Sequence, residues 1–276
     1  MYNWFTSKIS IAVSFALYFT ITCCFADDNI KFGSVAMDTP AVMHSKLSPL
    51  TEYLSQSLGK KVVLKLSPNM PSAIREVAGG LVELAYLTPV AYIKSQSVGN
   101  TRLVAKTITN NKASFQLMIV VREDSKINSV EELTGKDFAF GDKAALLQRA
   151  VVLGAGFKLE DFSRYEFLGH YDNIARGVLN NDYTAGILKD TKAYKWEGKG
   201  LKIIYKSLSL PPYNITVSNK VDDTLFEKIK LAFLSLDINN PKHKIIIESL
   251  SKKYTGFAPT SDEEYDVVRK LIKPFQ

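Results

Sequence analysis

Leu47, Leu50, Leu54 and Leu58 recur at the three- and four-residue intervals that line one face of a helix, and Gly59 closes the run where a left-handed C-cap suits glycine. Apolar runs at 30–35 and 62–66 flank this helix as strands. Ser72 is the expected N-cap of a short helix over 73–78 that stops at Gly79-Gly80. Residues 84–87 then read as strand, Thr88-Pro89 as a turn and 90–96 as a helix with proline in its first turn. The run 115–121, Phe-Gln-Leu-Met-Ile-Val-Val, is apolar on both faces and predicts a central strand.

The alternation then restarts: a short helix at 130–133, a strand at 138–140, and a helix with Leu147 and Val151 inward that ends at Gly154 and Gly156. Strand 165–168, helix 170–179 with Asp172 as N-cap, and strand 184–188 continue it. After Leu208 the double proline Pro211-Pro212 marks a return crossing, and helices alone are expected over 223–236, 244–254 and 262–271. Strands alternating with helices predict α/β architecture with mostly parallel sheets. Residues 77–89 align without a gap on 178–190, an offset of 101. This reads either as two similar halves, with Thr88-Pro89 and Lys189-Asp190 facing one cleft, or as two ordinary αβ turns.

Composition adds a compartment. Residues 1–26 carry one charge, Lys8, then an apolar run from Ile9 to Thr22 and a small residue, Ala26, before Asp27. The pattern is that of an export signal cleaved after Ala26, with an uncleaved anchor as the alternative. The apolar run falls short of the roughly 20 residues a membrane span needs. Both cysteines, Cys23 and Cys24, fall inside the signal, so the mature chain is expected to hold neither disulfide nor thiolate metal site. Acylation at one of them is a lesser alternative. Cleavage leaves 250 residues with a net charge of +6, spread without an Arg-rich run, which argues against nucleic acid as a partner.

The candidate chemistry centres on 137–149, Asp-Phe-Ala-Phe-Gly-Asp-Lys-Ala-Ala-Leu-Leu-Gln-Arg, where a strand hands a Gly-Asp turn to a helix. A helix start offers unpaired N–H groups and partial positive charge to an anion, yet this loop carries no Ser or Thr. No nucleophile elbow, His-Glu-x-x-His or phosphate-binding Gly-rich motif is present, and no enzyme is expected.

Pro49-Leu-Thr-Glu-Tyr-Leu54, Ala85-Tyr-Leu-Thr-Pro-Val-Ala-Tyr92, Leu133-Thr-Gly-Lys-Asp-Phe-Ala-Phe140, His170-Tyr-Asp-Asn-Ile174 and Asp182-Tyr-Thr-Ala-Gly186 occur in an order and spacing that resembles the PhnD-like periplasmic binding proteins of phosphate, phosphite and phosphonate ABC transporters. The resemblance implies a type 2 periplasmic binding protein: two α/β lobes joined by a hinge of two crossing segments, here 27–118 with 212–276 as one lobe and 119–211 as the other. It further implies periplasmic location, a small ligand enclosed between the lobes, no cofactor, and delivery to an ABC permease. A membrane sensor kinase is the alternative partner. A monomer is expected, without membrane insertion after signal cleavage. In the family an Asp-Pro-x-Ser-Thr-Ser-Gly run supplies hydroxyls to the phosphonate; here the matching stretch is Asp142-Lys-Ala-Ala-Leu-Leu-Gln148, so a less charged, partly apolar ligand is expected.

The candidate ligand-binding residues each have a structural alternative. Thr88 is a ligand hydroxyl or a helix cap, and Tyr92 walls the cleft or packs. Gln148 and Arg149 are the nearest polar replacements for the absent hydroxyls, with Arg149 otherwise in solvent. The resemblance puts His170 near the ligand, and the internal echo does the same for Asp190. Met37 and Met70 stand near strand or helix ends on the cleft side, as a soft-metal pair with Met43 and His44 or as core filling. No metal site is assigned.

Overall fold

In the computed structural model, which describes residues 29–34 and 39–275, the strands gather into two sheets. The first runs β2 (Val62–Leu66), β1 (Ile30–Ser34), β3 (Leu84–Leu87), β10 (Asn214–Val217), β4 (Arg102–Thr109), β11 (Tyr254–Ala258). The second runs β7 (Arg164–Phe167), β6 (Asp137–Phe140), β8 (Ala185–Lys189), β5 (Leu117–Arg122), β9 (Leu201–Lys206). Each begins with three parallel strands and then accepts an antiparallel one, β10 beside β3 and β5 beside β8. β3 and β8 therefore hold equivalent places, a structural counterpart of the 101-residue echo. The chain is α/β and two-lobed.

Helix α1 (Pro40–Leu58) buries Met43, Leu47, Leu50 and Leu54 against the first sheet and ends at Gly59 with φ 64°. Full burial of each leucine contributes about 1.5–3 kcal/mol. Helix α2 (Met70–Ala78) starts earlier than Ser72: Asn69 caps it, its side-chain oxygen accepting from the Ser72 N–H at 2.9 Å. Helix α5 (Tyr171–Leu179) is likewise entered from His170, in extended backbone, and not from Asp172. Asp172 lies in the first turn, where Lys192 Nζ meets it at 2.6 Å. That pair ties α5 to α6 (Asp190–Trp196), a helix the pattern did not announce.

The expectation of helices alone after residue 218 fails at β11. Helix α8 (Pro241–Leu250) stops at Ser251, and Tyr254–Ala258 turns into an edge strand on β4 because Tyr254 and Phe257 bury against the first core. β4 and β9 also lacked a sequence signal.

Two segments cross between the sheets, 110–116 and 207–213. They pair with each other at Phe115 and Leu210. A third link follows β11. Helix α7 (Asp223–Leu234) and α8 pack with the first sheet, but α9 (Asp266–Ile272) lies against α4 (Leu146–Gly154) of the second lobe and against α3 (Pro89–Gly99) of the first. Tyr265, Val268 and Ile272 share one core cluster with Phe138, Phe140 and Val151 and with Val90, Tyr92 and Ile93. The boundary at 212 thus leaves α9 touching both lobes. Among the described residues no helix is long and apolar enough to cross a membrane. The expected signal, Cys23, Cys24 and Met37 lie outside the described residues.

Candidate functional site

The parallel strands of each sheet end toward the crossings, and ligands of α/β proteins bind beyond such carboxyl ends. Here those ends supply Thr88 after β3, Gly141 to Ala145 after β6, Gly169 to Tyr171 after β7, and Lys189-Asp190 at β8. Tyr213 arrives from the second crossing.

Five N–H groups of the loop after β6 and the start of α4 already have acceptors within it. The Gly141 N–H donates to Gln148 Oε1 at 2.7 Å, and the Ala144 N–H donates to Asp142 Oδ1 at 2.8 Å. The N–H groups of Ala145, Leu146 and Gln148 bond to the carbonyls of Asp142, Ala144 and Ala145. Gln148 is 5% exposed, and a Cβ on Gly141 would stand 2.6 Å from its Nε2, so glycine is what lets the carboxamide fold over the turn. Gly141, Ala144, Ala145, Leu146 and Gln148, donors that a hydroxyl-rich loop would turn to an anion, are here spent on the protein's own oxygens, one of them a carboxylate.

Tyrosines line the rest. Tyr86 stacks on Tyr213 with ring centres 5.2 Å apart and shares a 2.6 Å hydrogen bond with Tyr254. Burial, together with Tyr254 and Tyr213, holds the Tyr86 phenol well above its ordinary range. Tyr213 is raised by burial and then by neighbours from both lobes: Tyr254, and across the cleft Tyr171 and Asp142. Burial pushes Tyr171 up to about 12, against a bond from Gln148 and with Asp190 adding to the rise. All are neutral phenols at physiological pH, suited to hydrogen bonding and to packing on apolar or planar groups.

At β8, burial lowers the Lys189 ammonium, Asp190 counters it and Lys253 adds to it. Asp190 is 8% exposed; its carboxylate accepts from the Thr191 N–H at 2.6 Å and the Gln116 N–H at 3.2 Å, joining β8 to the first crossing.

The candidate residues therefore separate. Thr88 stands at the cleft but caps α3, its Oγ1 accepting from the Ala91 N–H at 3.2 Å. His170 is exposed at the start of α5. Tyr92 turns away: buried, it donates to Asp262 Oδ1 at 2.5 Å and packs edge-on to Tyr265. Arg149 is half-buried: its guanidinium carbon lies 6.0 Å from the Phe167 ring centre and 5.9 Å from that of Phe275, and its Nη2 donates to the Lys143 carbonyl of the loop after β6 at 3.3 Å. Met70 packs on the Ala73, Ile74 and Val77 cluster. Tyr171, Tyr213 and Asp142 were missed as a set because only the fold brings them within electrostatic reach of one another.

A family model described as ABC transporter, phosphonate, periplasmic substrate-binding protein matches residues 32–265. Among solved structures, XAC2383 from Xanthomonas citri bound to ATP superposes with a TM-score of 0.75 at 16% identity, covering 90% of this chain and 100% of that one. PhnD1 from Prochlorococcus marinus in complex with methylphosphonate gives 0.70 at 17% identity, with 90% and 98% covered. The aliphatic sulphonate binding protein SsuA from Escherichia coli gives 0.56 at 15%, with 90% and 86% covered. At these identities the structures speak for the fold.

Proposed function

The chain belongs to the periplasmic substrate-binding proteins of phosphonate-type ABC transporters, and on that premise we propose that it encloses a solute less charged than a phosphonate dianion. The family is one of solute-binding proteins, not enzymes, and its partner is an ABC transporter in the membrane.

One observation carries the ligand reading: the Gly141 N–H is bonded to Gln148 Oε1 and the Ala144 N–H to the Asp142 carboxylate. A phosphonate entering here has to displace both acceptors and sit beside the exposed Asp142. Each polar group left unmatched costs about 1–3 kcal/mol, and more when charged. Neutral phenols on both sides of the cleft favour a solute with apolar or planar surface and few charges.

Ligand contacts to both lobes favour the closed form, which is the form a permease reads. Thermal-shift measurements on the purified protein with methylphosphonate, phosphate, an alkanesulfonate and a panel of neutral and singly charged solutes test this, since a ligand of the native state raises Tm. The expected outcome is stabilisation by one or more of the neutral or singly charged solutes and none by phosphate or methylphosphonate. Stabilisation by methylphosphonate at micromolar concentration contradicts the reading.

A further inference from the structure

At the hinge end of the cleft lies a cavity of about 200 Å³ lined by Thr109, Lys112, Phe115, Lys189, Asp190 and Tyr194 among others. Its volume equals that of roughly six or seven waters at about 30 Å³ each. Lys189 is half-buried, with Nζ 4.8 Å from the Phe115 ring centre, and its ammonium forms no ion pair or hydrogen bond with another described residue. Thr109 is 8% exposed, and its hydroxyl has no hydrogen-bond partner. A half-buried ammonium on the cavity is a charged donor without an acceptor, an arrangement that an incoming oxygen ligand completes.

The lining limits that ligand. Asp190 lies in the wall with its oxygens already engaged by N–H groups, so two lysines and one carboxylate leave a single net positive charge. A monoanion neutralises this, whereas a dianion leaves a net negative charge beside Asp190. The Phe115 ring supplies an apolar flank beside the ammonium.

We infer that this cavity anchors the carboxylate of a small carboxylic acid, with Lys189 as its counter-ion. The inference rests on the solute-binding reading above and names the acidic group of that solute. It moves the charged contact from the loop after β6 to the end of β8.

The test uses the purified protein and two probes of equal shape, butyrate and butyramide, followed by amide NMR. Butyrate is expected to shift Thr109, Phe115, Lys189 and Thr191 saturably, and butyramide to bind at least about tenfold more weakly, the scale of one charge-assisted hydrogen bond. Lys189→Gln is expected to weaken butyrate about tenfold or more, while Lys189→Arg stays within about threefold. Unchanged thermal melts of both variants keep the comparison one of binding. Absence of saturable butyrate shifts at these residues, or equal affinity in Lys189→Gln, overturns the inference. Methylphosphonate shifts at Gly141 to Gln148 instead overturn the ligand reading of the previous section, so the two failures are told apart by where the shifts fall.

Discussion

Phe115 and Leu210 exchange both of their backbone hydrogen bonds, at 2.9 and 2.8 Å, and so join the two segments that cross between the lobes. Leu210 is fully buried in the second core as well, which gives this pair two separable roles. Leu210→Ala is expected to lower unfolding stability by about 2–5 kcal/mol. Leu210→Pro also removes the N–H to the Phe115 carbonyl and is expected to cost about 1 kcal/mol more. Urea unfolding of both variants reads the difference; coincident midpoints contradict a role for the backbone pair.

Tyr92→Phe separates packing from binding. The hydroxyl's partner is Asp262, so the expected cost is about 1–3 kcal/mol of stability, with ligand affinity unchanged. Calorimetric titration of a bound solute beside a melt decides it. A drop in affinity without a drop in Tm returns Tyr92 to the cleft.

Asp262 gives the acid limb a defined sign. Burial alone raises its carboxyl, but Arg269 and the Tyr92 hydroxyl outweigh burial and bring it below the usual range. Its folded pKa is therefore depressed, so its contribution is present above the unfolded value of about 3.9 and disappears as pH falls through the lowered folded value. The side chain is 45% exposed, and solvent screening limits the effect to about 1 kcal/mol or less. Asp262→Asn is expected to flatten the loss of stability between about pH 5 and pH 2 relative to the parent. Parallel slopes in pH-dependent urea unfolding refute this assignment.

The loop after β6 can be asked to bind phosphonate. Gln148→Gly frees the Gly141 N–H, and Ala145→Ser, Leu146→Thr and Leu147→Ser supply hydroxyls at the first turn of α4. The four changes together are expected to create methylphosphonate affinity absent from the parent, by about tenfold per restored charge-assisted bond. Gln148→Leu, which leaves the Gly141 N–H buried without a partner, is expected to lose about 1–3 kcal/mol of stability and to gain no binding. Calorimetry with methylphosphonate covers both variants; a tight-binding parent contradicts the premise.

The fold was legible where the signal is short in range. Leucine spacing and Gly59 marked α1, an unbroken apolar run marked β5, and Thr88-Pro89 marked the start of α3. β4 was not, because Arg102 and Lys106 interrupt it and their partners, Asp223 and Glu264, stand 121 and 158 residues away. The candidate site was legible as a loop and not as a set of contacts. That Gln148 matters followed from its place in the loop; that it turns back on Gly141 depended on the turn between them. Tyr171 and Tyr213 influence each other electrostatically from separate lobes, and no local pattern carries such a relation.

Helix α9 touches α3 on one side and α4 on the other. A rotation of the lobes about the Phe115–Leu210 pair would not leave α9 fixed to both helices, and would shear one of the apolar contacts that Tyr265, Val268 and Ile272 make. The resting balance between open and closed is then adjustable from the far end of the chain without touching the ligand. A substitution at Ile272 acts as a set-point: a kilocalorie or so lost on one face of α9 shifts the two populations by about fivefold, and the apparent affinity shifts with them.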